Sequence, residues 1–134
     1  MPITKDAGVQ ACSVKKVDFT FADLGATTAF DNEAIGLPSG AIVRSGELVI
    51  TTAFNSTTNV FTVGDKTVNN RFKSAIDAKA AALTALVPTG KVHNTANERT
   101  LVINSAFTGV APTAGAGYLI VEYMEPGRAD FVQR

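Results

Sequence analysis

The residues that could do chemistry in this chain are few, and their spacing matches no familiar reaction centre. His93 is the only histidine, so the commonest general base and any multi-histidine metal site are missing. Cys12 is the only cysteine, and it lies in no motif that would activate a thiolate, so a buried or idle thiol is favoured over a nucleophile. We therefore expect no catalytic residue, and we predict that His93 is a solvated residue of a polar loop.

The glycine-rich segments are also unlike nucleotide sites. Gly90 and Lys91 lack the preceding glycines and the following serine or threonine that a phosphate-binding loop needs. Residues 109–117 are rich in glycine but precede a strand, whereas a dinucleotide site needs a helix at that point. These segments predict ordinary loops and no bound cofactor.

The carboxylates are scattered along the chain. Their spacing does not require a metal, although folding could bring some of them together, and we predict no metal site. Asp65 follows Gly64 directly, which is typical of a turn residue. The carboxylates considered were Asp31, Glu33, Asp65 and Asp77.

Composition limits the classes of function. The chain has 134 residues, which fits one domain with a real core, and its 12 basic and 12 acidic residues give a net charge of zero. A neutral chain argues against strong attraction to nucleic acid or to an anionic membrane. A single cysteine, no secretory signal and no bilayer-length apolar run predict synthesis in a cytosol.

The clearest structural signal is in residues 41–64. From Ile42 onward, the even positions are mostly apolar and the odd positions are mixed, which predicts a long strand with period 2. Residues 55–59 are a cluster of Asn, Ser and Thr that favours a turn, and residues 60–63 return as a β-rich run. We interpret the segment as a long strand, a turn and a partner strand, in the manner of a hairpin.

Short strands between turn signals fill most of the remaining sequence. They predict an all-β, antiparallel sandwich or barrel rather than a parallel α/β sheet. We expect an extended N-terminal arm over residues 1–13, and one β-sandwich domain with a C-terminal tail over residues 14–134. Further strands are predicted within residues 14–24, 33–37, 90–93, 99–107 and 118–124, with a loop over residues 25–32.

Residues 71–87 differ from this pattern because they are rich in alanine and have apolar residues at helical spacing. They predict a short helix or irregular excursion that ends before Pro88 and covers one end of the sandwich. Two alternatives stay open: the segment packs on a partner subunit, or residues 84–87 begin a strand. The apolar positions are Phe72, Ile76, Ala80, Leu83 and Val87.

Several segments together give the chain a resemblance to a known class of protein. The sequence from residue 33 to 128 resembles small structural proteins of tailed bacteriophages, namely capsid cement or decoration proteins with a jelly-roll fold. The segments that carry the resemblance are residues 37–46, 51–56, 63–65, 78–81, 84–90, 111–115 and 121–128.

The resemblance implies a virion protein on the outer surface of a phage head that clamps neighbouring major capsid subunits. It also implies a homodimer or homotrimer and no nucleic-acid or membrane partner. We expect contacts to the capsid or between subunits from the N-terminal arm and the C-terminal tail. The candidate contact residues are Ile3, Val9, Met124, Arg128, Phe131 and Val132.

Two rival functions remain at this point. The chain could be a phage tail or receptor-binding sandwich that presents loops to a host glycan, although it has no Trp and only two Tyr. It could also be a small metal-dependent enzyme, which the single histidine disfavours.

Overall fold

The structure is a computed structural model that describes residues 12–24 and 29–125. In this part of the chain it contains nine strands and one four-residue helix. The strands are β1 Cys12–Thr20, β2 Ala29–Gly36, β3 Ala41–Thr52, β4 Thr58–Asp65, β5 Lys73–Asp77, β6 Ala82–Ala85, β7 Val92–His93, β8 Thr100–Thr108 and β9 Ala116–Met124, with helix α1 Ala96–Arg99 between β7 and β8.

The strands form two antiparallel sheets. The five-stranded sheet has the order β1-β9-β3-β6, and β7 pairs with the beginning of β3 on the same side as β6. The four-stranded sheet has the order β2-β8-β4-β5. The predicted all-β, antiparallel β-sandwich is therefore confirmed.

The long strand predicted from residue 41 is confirmed as β3, and it lies in the interior of its sheet between β9 and β6. The hairpin interpretation is wrong, because β3 and β4 belong to opposite sheets. The turn between them carries the chain across the sandwich and is held by Asn59, whose Oδ1 accepts the backbone N–H of Ser56 at 3.0 Å.

The core fills the space between the sheets with alternate residues of each strand. Phe19, Phe54 and Phe61 form its aromatic centre, with ring centroids 5.0–6.5 Å apart. Phe61 is fully buried, and burial of such a side chain contributes about 2–3 kcal/mol. This core fixes the distance between the sheets and makes their outer faces rigid surfaces.

The helix predicted for residues 71–87 is wrong, since the segment forms β5 and β6, which pair with β4 and β3. The register shifts between Phe61 and Val63, opposite the part of β5 where Ala75 has a φ of 56°. Residues four apart lie on one face of a strand as well as on one face of a helix, so the burial of Phe72 and Ile76 fits both. The irregularity turns Ser74 between them outward, which hides the alternation expected of a strand.

Other boundaries differ only slightly from expectation. The brief strand predicted in residues 90–93 is confirmed as β7, whereas β2 begins at Ala29, inside the predicted loop. Strand β1 begins at Cys12, so the last two residues of the predicted arm are already in the sheet. The rest of that arm lies outside the described residues. In the described part of the chain, no helix is long and apolar enough to cross a bilayer.

Candidate interaction surface

The two outer faces of the sandwich differ in chemistry. The outer face of the five-stranded sheet, here called the apolar face, carries large apolar side chains, and Leu83 and Val14 on it are 62% and 57% exposed. The outer face of the four-stranded sheet is more polar, with Val60 as an exposed large apolar residue. Its outward polar and charged positions include Thr58, Thr62, Asn104, Glu33 and Asp77. The apolar residues of the apolar face are Val14, Ile42, Val49, Leu83, Val92, Tyr118, Ile120 and Met124.

Strand alternation explains how the apolar face arises. In β9, Leu119, Val121 and Tyr123 are buried against the core, so the residues between them point outward. Because Ile120 and Tyr118 are themselves apolar or aromatic, both faces of β9 are largely apolar. Strands that are apolar on both faces are usually covered on both faces, so this outer face is a candidate for contact with another protein.

Two carboxylates interrupt the apolar face. Glu47 lies opposite Ile120 in the β3–β9 ladder, and Glu122 lies opposite Ser45. Both side chains are partly buried, and they border a shallow depression whose other lining residues are Val14, Ser45, Gly46 and Ile120. Such diagonal neighbours on one side of a sheet are typically about 7–8 Å apart, so one ligand group can approach both.

These two carboxylates have no hydrogen bond or ion pair with any described residue. Every other carboxylate with a described side chain has an interaction partner. Those partnered carboxylates are Asp18, Asp23, Glu33, Asp65, Asp77, Glu98 and Glu125.

The cationic side chains near the depression interact with other groups. Lys16 forms an ion pair with Asp18 at 3.4 Å and lies 4.5 Å from the centroid of the Tyr118 ring. Arg44 donates from Nη1 to Sγ of Cys12 over 3.7 Å. The apolar face therefore has two carboxylates that its own cations do not neutralise.

A buried polar cluster lies at one end of the sandwich. Oδ1 of Asp65 accepts the backbone N–H groups of Thr67 and Val68 at 2.9 and 2.8 Å and the Thr67 hydroxyl at 2.6 Å, which confirms Asp65 as a turn residue. Its Oδ2 accepts Nε of Arg71. Burial raises the pKa of Asp65, but the hydrogen bonds from Thr67, Val68 and Arg71 outweigh burial, and the pKa is lowered from 3.8.

His93 belongs to the same cluster, and the prediction of a solvated loop residue is wrong. Its side chain is fully buried in β7, with its ring stacked on Phe72 at a centroid distance of 6.0 Å. Nδ1 lies 3.2 Å from the carbonyl oxygen of Ala41, which can only accept, so Nδ1 carries the proton of that bond. Nε2 lies 3.7 Å from Oδ2 of Asp65. The imidazole of His93 therefore lies enclosed between the two sheets and is not accessible to a substrate.

A larger cleft of about 480 Å³ lies between β1 and β2. Three carboxylates line it, but Asp18 pairs with Lys16, Glu33 pairs with Lys66, and Asp23 accepts the backbone N–H of Thr20. Over residues 12–24 and 29–125, no three His, Cys, Asp or Glu side chains are grouped so as to hold a metal.

Met124 is the one predicted contact residue that the structure describes. It ends β9 on the apolar face, partly buried, between Cys12 of β1 and Ile42 of β3. The other predicted contact residues, Ile3, Val9, Arg128, Phe131 and Val132, lie outside the described residues. Leu83, Glu47 and Glu122 are not among the contact residues predicted from the sequence, although the alternation around Glu47 and Glu122 is visible there.

Fold and surfaces together define a small antiparallel β-sandwich with one apolar and one polar outer face. A chain of the structure described as the cyanophage Pam1 capsid asymmetric unit is similar to it, with 25% identity and a TM-score of 0.61, over 94% of this chain and 93% of that one. A chain of the acid-stable capsid structure of Helicobacter pylori bacteriophage KHP30 has the same fold, with 21% identity and a TM-score of 0.61, over 89% and 92% of the two chains.

No family model matches the sequence, and no curated protein matches it significantly. The structural similarities confirm the resemblance to phage capsid-associated proteins that the sequence indicated.

Proposed function

We propose that this chain is a cement or decoration protein that binds the outside of a phage head and clamps neighbouring major capsid subunits. The observation that carries the proposal is the similarity to the Pam1 capsid chain over nearly the whole length of both chains. Because the similarity covers almost all of both chains, this chain corresponds to that whole chain and not to one domain of a larger one.

The apolar face supports the proposal because it is a rigid surface of the kind that binds protein. Burial of an exposed Leu or Val side chain contributes about 1.5–3 kcal/mol, so Leu83, Val14 and Val92 supply a useful gain on docking. Contacts of this size are modest singly, but a clamp that touches two subunits gains from the high effective concentration of the second site. We therefore assign the shell contact to the apolar face, with Met124 at one end of it.

The strand order supports the finer assignment of the fold as a jelly roll. Strands pair in a nested series, β4 with β5, β3 with β6, β2 with β8 and β1 with β9. A long antiparallel ribbon rolled into two Greek keys has this nesting.

Self-association is the second part of the proposal. The zero net charge creates no strong repulsion between closely packed copies, and the outer edges of β1 and β2 have no strand partner among the described residues. We expect a homodimer or homotrimer on the capsid surface, assembled from chains made in the host cytoplasm, with the N-terminal arm and the C-terminal tail as further contacts.

The experiment is to mix purified protein with expanded shells of the virus that encodes it, prepared without this chain. We expect it to sediment with the shells and to raise the temperature at which they release their contents. Protein that stays in the supernatant and leaves that temperature unchanged would contradict the cement function. Binding to host cells in place of shells would favour a receptor-binding module.

A further inference from the structure

We propose that the apolar face docks on a capsid segment in which a cationic side chain, an arginine or a lysine, is surrounded by apolar ones. The cation enters the depression between Glu47 and Glu122. This inference rests on the proposed function, since it specifies the chemistry of the partner at that same surface.

Glu47 and Glu122 differ from four other carboxylates, each of which has a cationic partner. Asp18, Glu33 and Glu98 each have a lysine within 3.4 Å, and Asp65 has Arg71. Glu47 and Glu122 have no such partner, even though both are partly buried among apolar residues. Among the described residues no cation approaches them, so a partner that covers this face can supply one.

Covering the apolar face also has an electrostatic cost. A partner that buries Val14, Ile120 and Leu83 removes water from Glu47 and Glu122 at the same time. Desolvation of an ionised carboxylate without a counter-charge costs several kcal/mol, which is enough to cancel the apolar gain. A purely apolar or an acidic partner is thus rejected, and a cationic one is selected.

The shape of the depression suits a long side chain. Ser45 contributes little side-chain volume, so a long side chain can lie between the carboxylates with its methylene groups against Ile120 and Val14. Arginine suits two carboxylates best, because its planar group donates in several directions at once.

A second copy of this chain is a less suitable occupant. Among the cations closest to the depression, Lys16 already interacts with Asp18 and the Tyr118 ring, and Arg44 with Cys12. A two-fold contact through this face would have to break those interactions before either cation could reach the glutamates. We therefore assign the cation to the capsid subunit.

The test measures the affinity for expanded, chain-free shells by co-sedimentation at several NaCl concentrations. It compares the natural protein with Glu47→Gln, Glu122→Gln and the double variant. Glutamine keeps the shape and removes the charge. Because neither carboxylate has a partner in residues 12–24 and 29–125, we expect unchanged thermal stability. The matched control is Glu33→Gln, on the four-stranded sheet and paired with Lys66.

We expect the double variant to bind at least about tenfold more weakly than the Glu33→Gln control, with a flatter dependence on salt. Equal or tighter binding by the double variant would overturn the inference while leaving the cement function intact. If the double variant also changes the sedimentation coefficient of the free protein, the occupant is a second copy and the inference fails. If neither the natural protein nor the control binds shells, the cement function itself fails.

Discussion

Nε2 of His93 lies 3.7 Å from Oδ2 of Asp65, and both side chains are fully buried. His93 is in β7 of the five-stranded sheet, whereas Asp65 ends β4 of the four-stranded sheet. The contact therefore joins the two sheets through polar groups at one end of a sandwich whose centre is aromatic. At 3.7 Å the pair is too long for a hydrogen bond, and Nε2 has no hydrogen-bond partner among the described residues. The bonds that Asp65 accepts from Thr67, Val68 and Arg71 are therefore the ones that are expensive to break at this buried end.

Replacement of Asp65 by asparagine should destabilise the protein. The amide side chain keeps an acceptor for Thr67 and Val68 but loses the charge that Arg71 and His93 face. We expect the free energy of unfolding, measured by urea denaturation, to fall by about 2–4 kcal/mol. The control is Asp77→Asn, because Asp77 is exposed and its carboxylate accepts the backbone N–H of Lys79. Equal stability of the two variants would contradict the structural role of the cluster.

Stability should fall in acid as the carboxylates with lowered pKa values take up protons. The hydrogen bond from Lys91, with those from the backbone of Thr95 and Asn94, lowers the pKa of Glu98 from 4.5 to about 2, and the pKa of Asp65 is lowered from 3.8. A group with a lowered folded-state pKa stabilises the fold above its unfolded-state pKa, and this contribution disappears as the pH falls through the folded-state value.

The urea concentration at the midpoint of unfolding should therefore fall as the pH is lowered from about 4.5 toward 2. Above about pH 4.5 these two groups should cause no further change in it. Asp65→Asn should show a shallower fall over this range, because one titrating group has been removed. A curve parallel to that of the natural protein would mean that Asp65 does not contribute to the acid sensitivity.

Replacement of Gly64 by alanine should distort the turn that supports Asp65. A Cβ atom at Gly64 would lie 2.3 Å from the carbonyl oxygen of Val68, and a backbone atom cannot move aside cheaply. We expect a loss of about 1–3 kcal/mol in the free energy of unfolding. Gly36→Ala is the matched control, since a Cβ there meets no atom within 4 Å. A neutral Gly64→Ala variant would show that the close approach is not a real constraint.

A charge on the apolar face should impair shell binding without harming the fold. Leu83 is 62% exposed, so Leu83→Asp removes little buried area but places a carboxylate in the proposed contact. We expect at least about tenfold weaker co-sedimentation with shells and a melting temperature close to that of the natural protein. Val60→Asp makes the matched change on the four-stranded sheet, where Val60 is 38% exposed. If the Val60 variant is the weaker binder, the shell contact lies on the other face.

Residues 71–87 show where local signals fail. Phe72 and Ile76 have helical spacing, but their burial arises from an irregular strand that pairs with β4. A helix and an irregular strand can both place Phe72 and Ile76 on one side. A strand forms where a neighbouring strand offers unpaired backbone groups along its edge. For β6 that edge is β3, which precedes it in the chain by two intervening strands, so no local pattern reveals it.

The sequence by itself determined the class of fold and the long central strand. The alternation in β3 and β9 has period 2, which is a local property of the chain and predicts strands without knowledge of their partners. The sequence also indicated the phage-capsid resemblance, which the structural similarities confirm.

Only the tertiary structure decided which strands are neighbours and which faces are covered. It placed β3 and β4 in opposite sheets, buried His93 against Asp65, and left Glu47 and Glu122 without a partner among the described residues, beside Ile120. The physical reason is that alternation assigns residues to two sides of a strand but does not say which side meets the core. Pairing between residues far apart in sequence makes that choice, and with it the candidate surface.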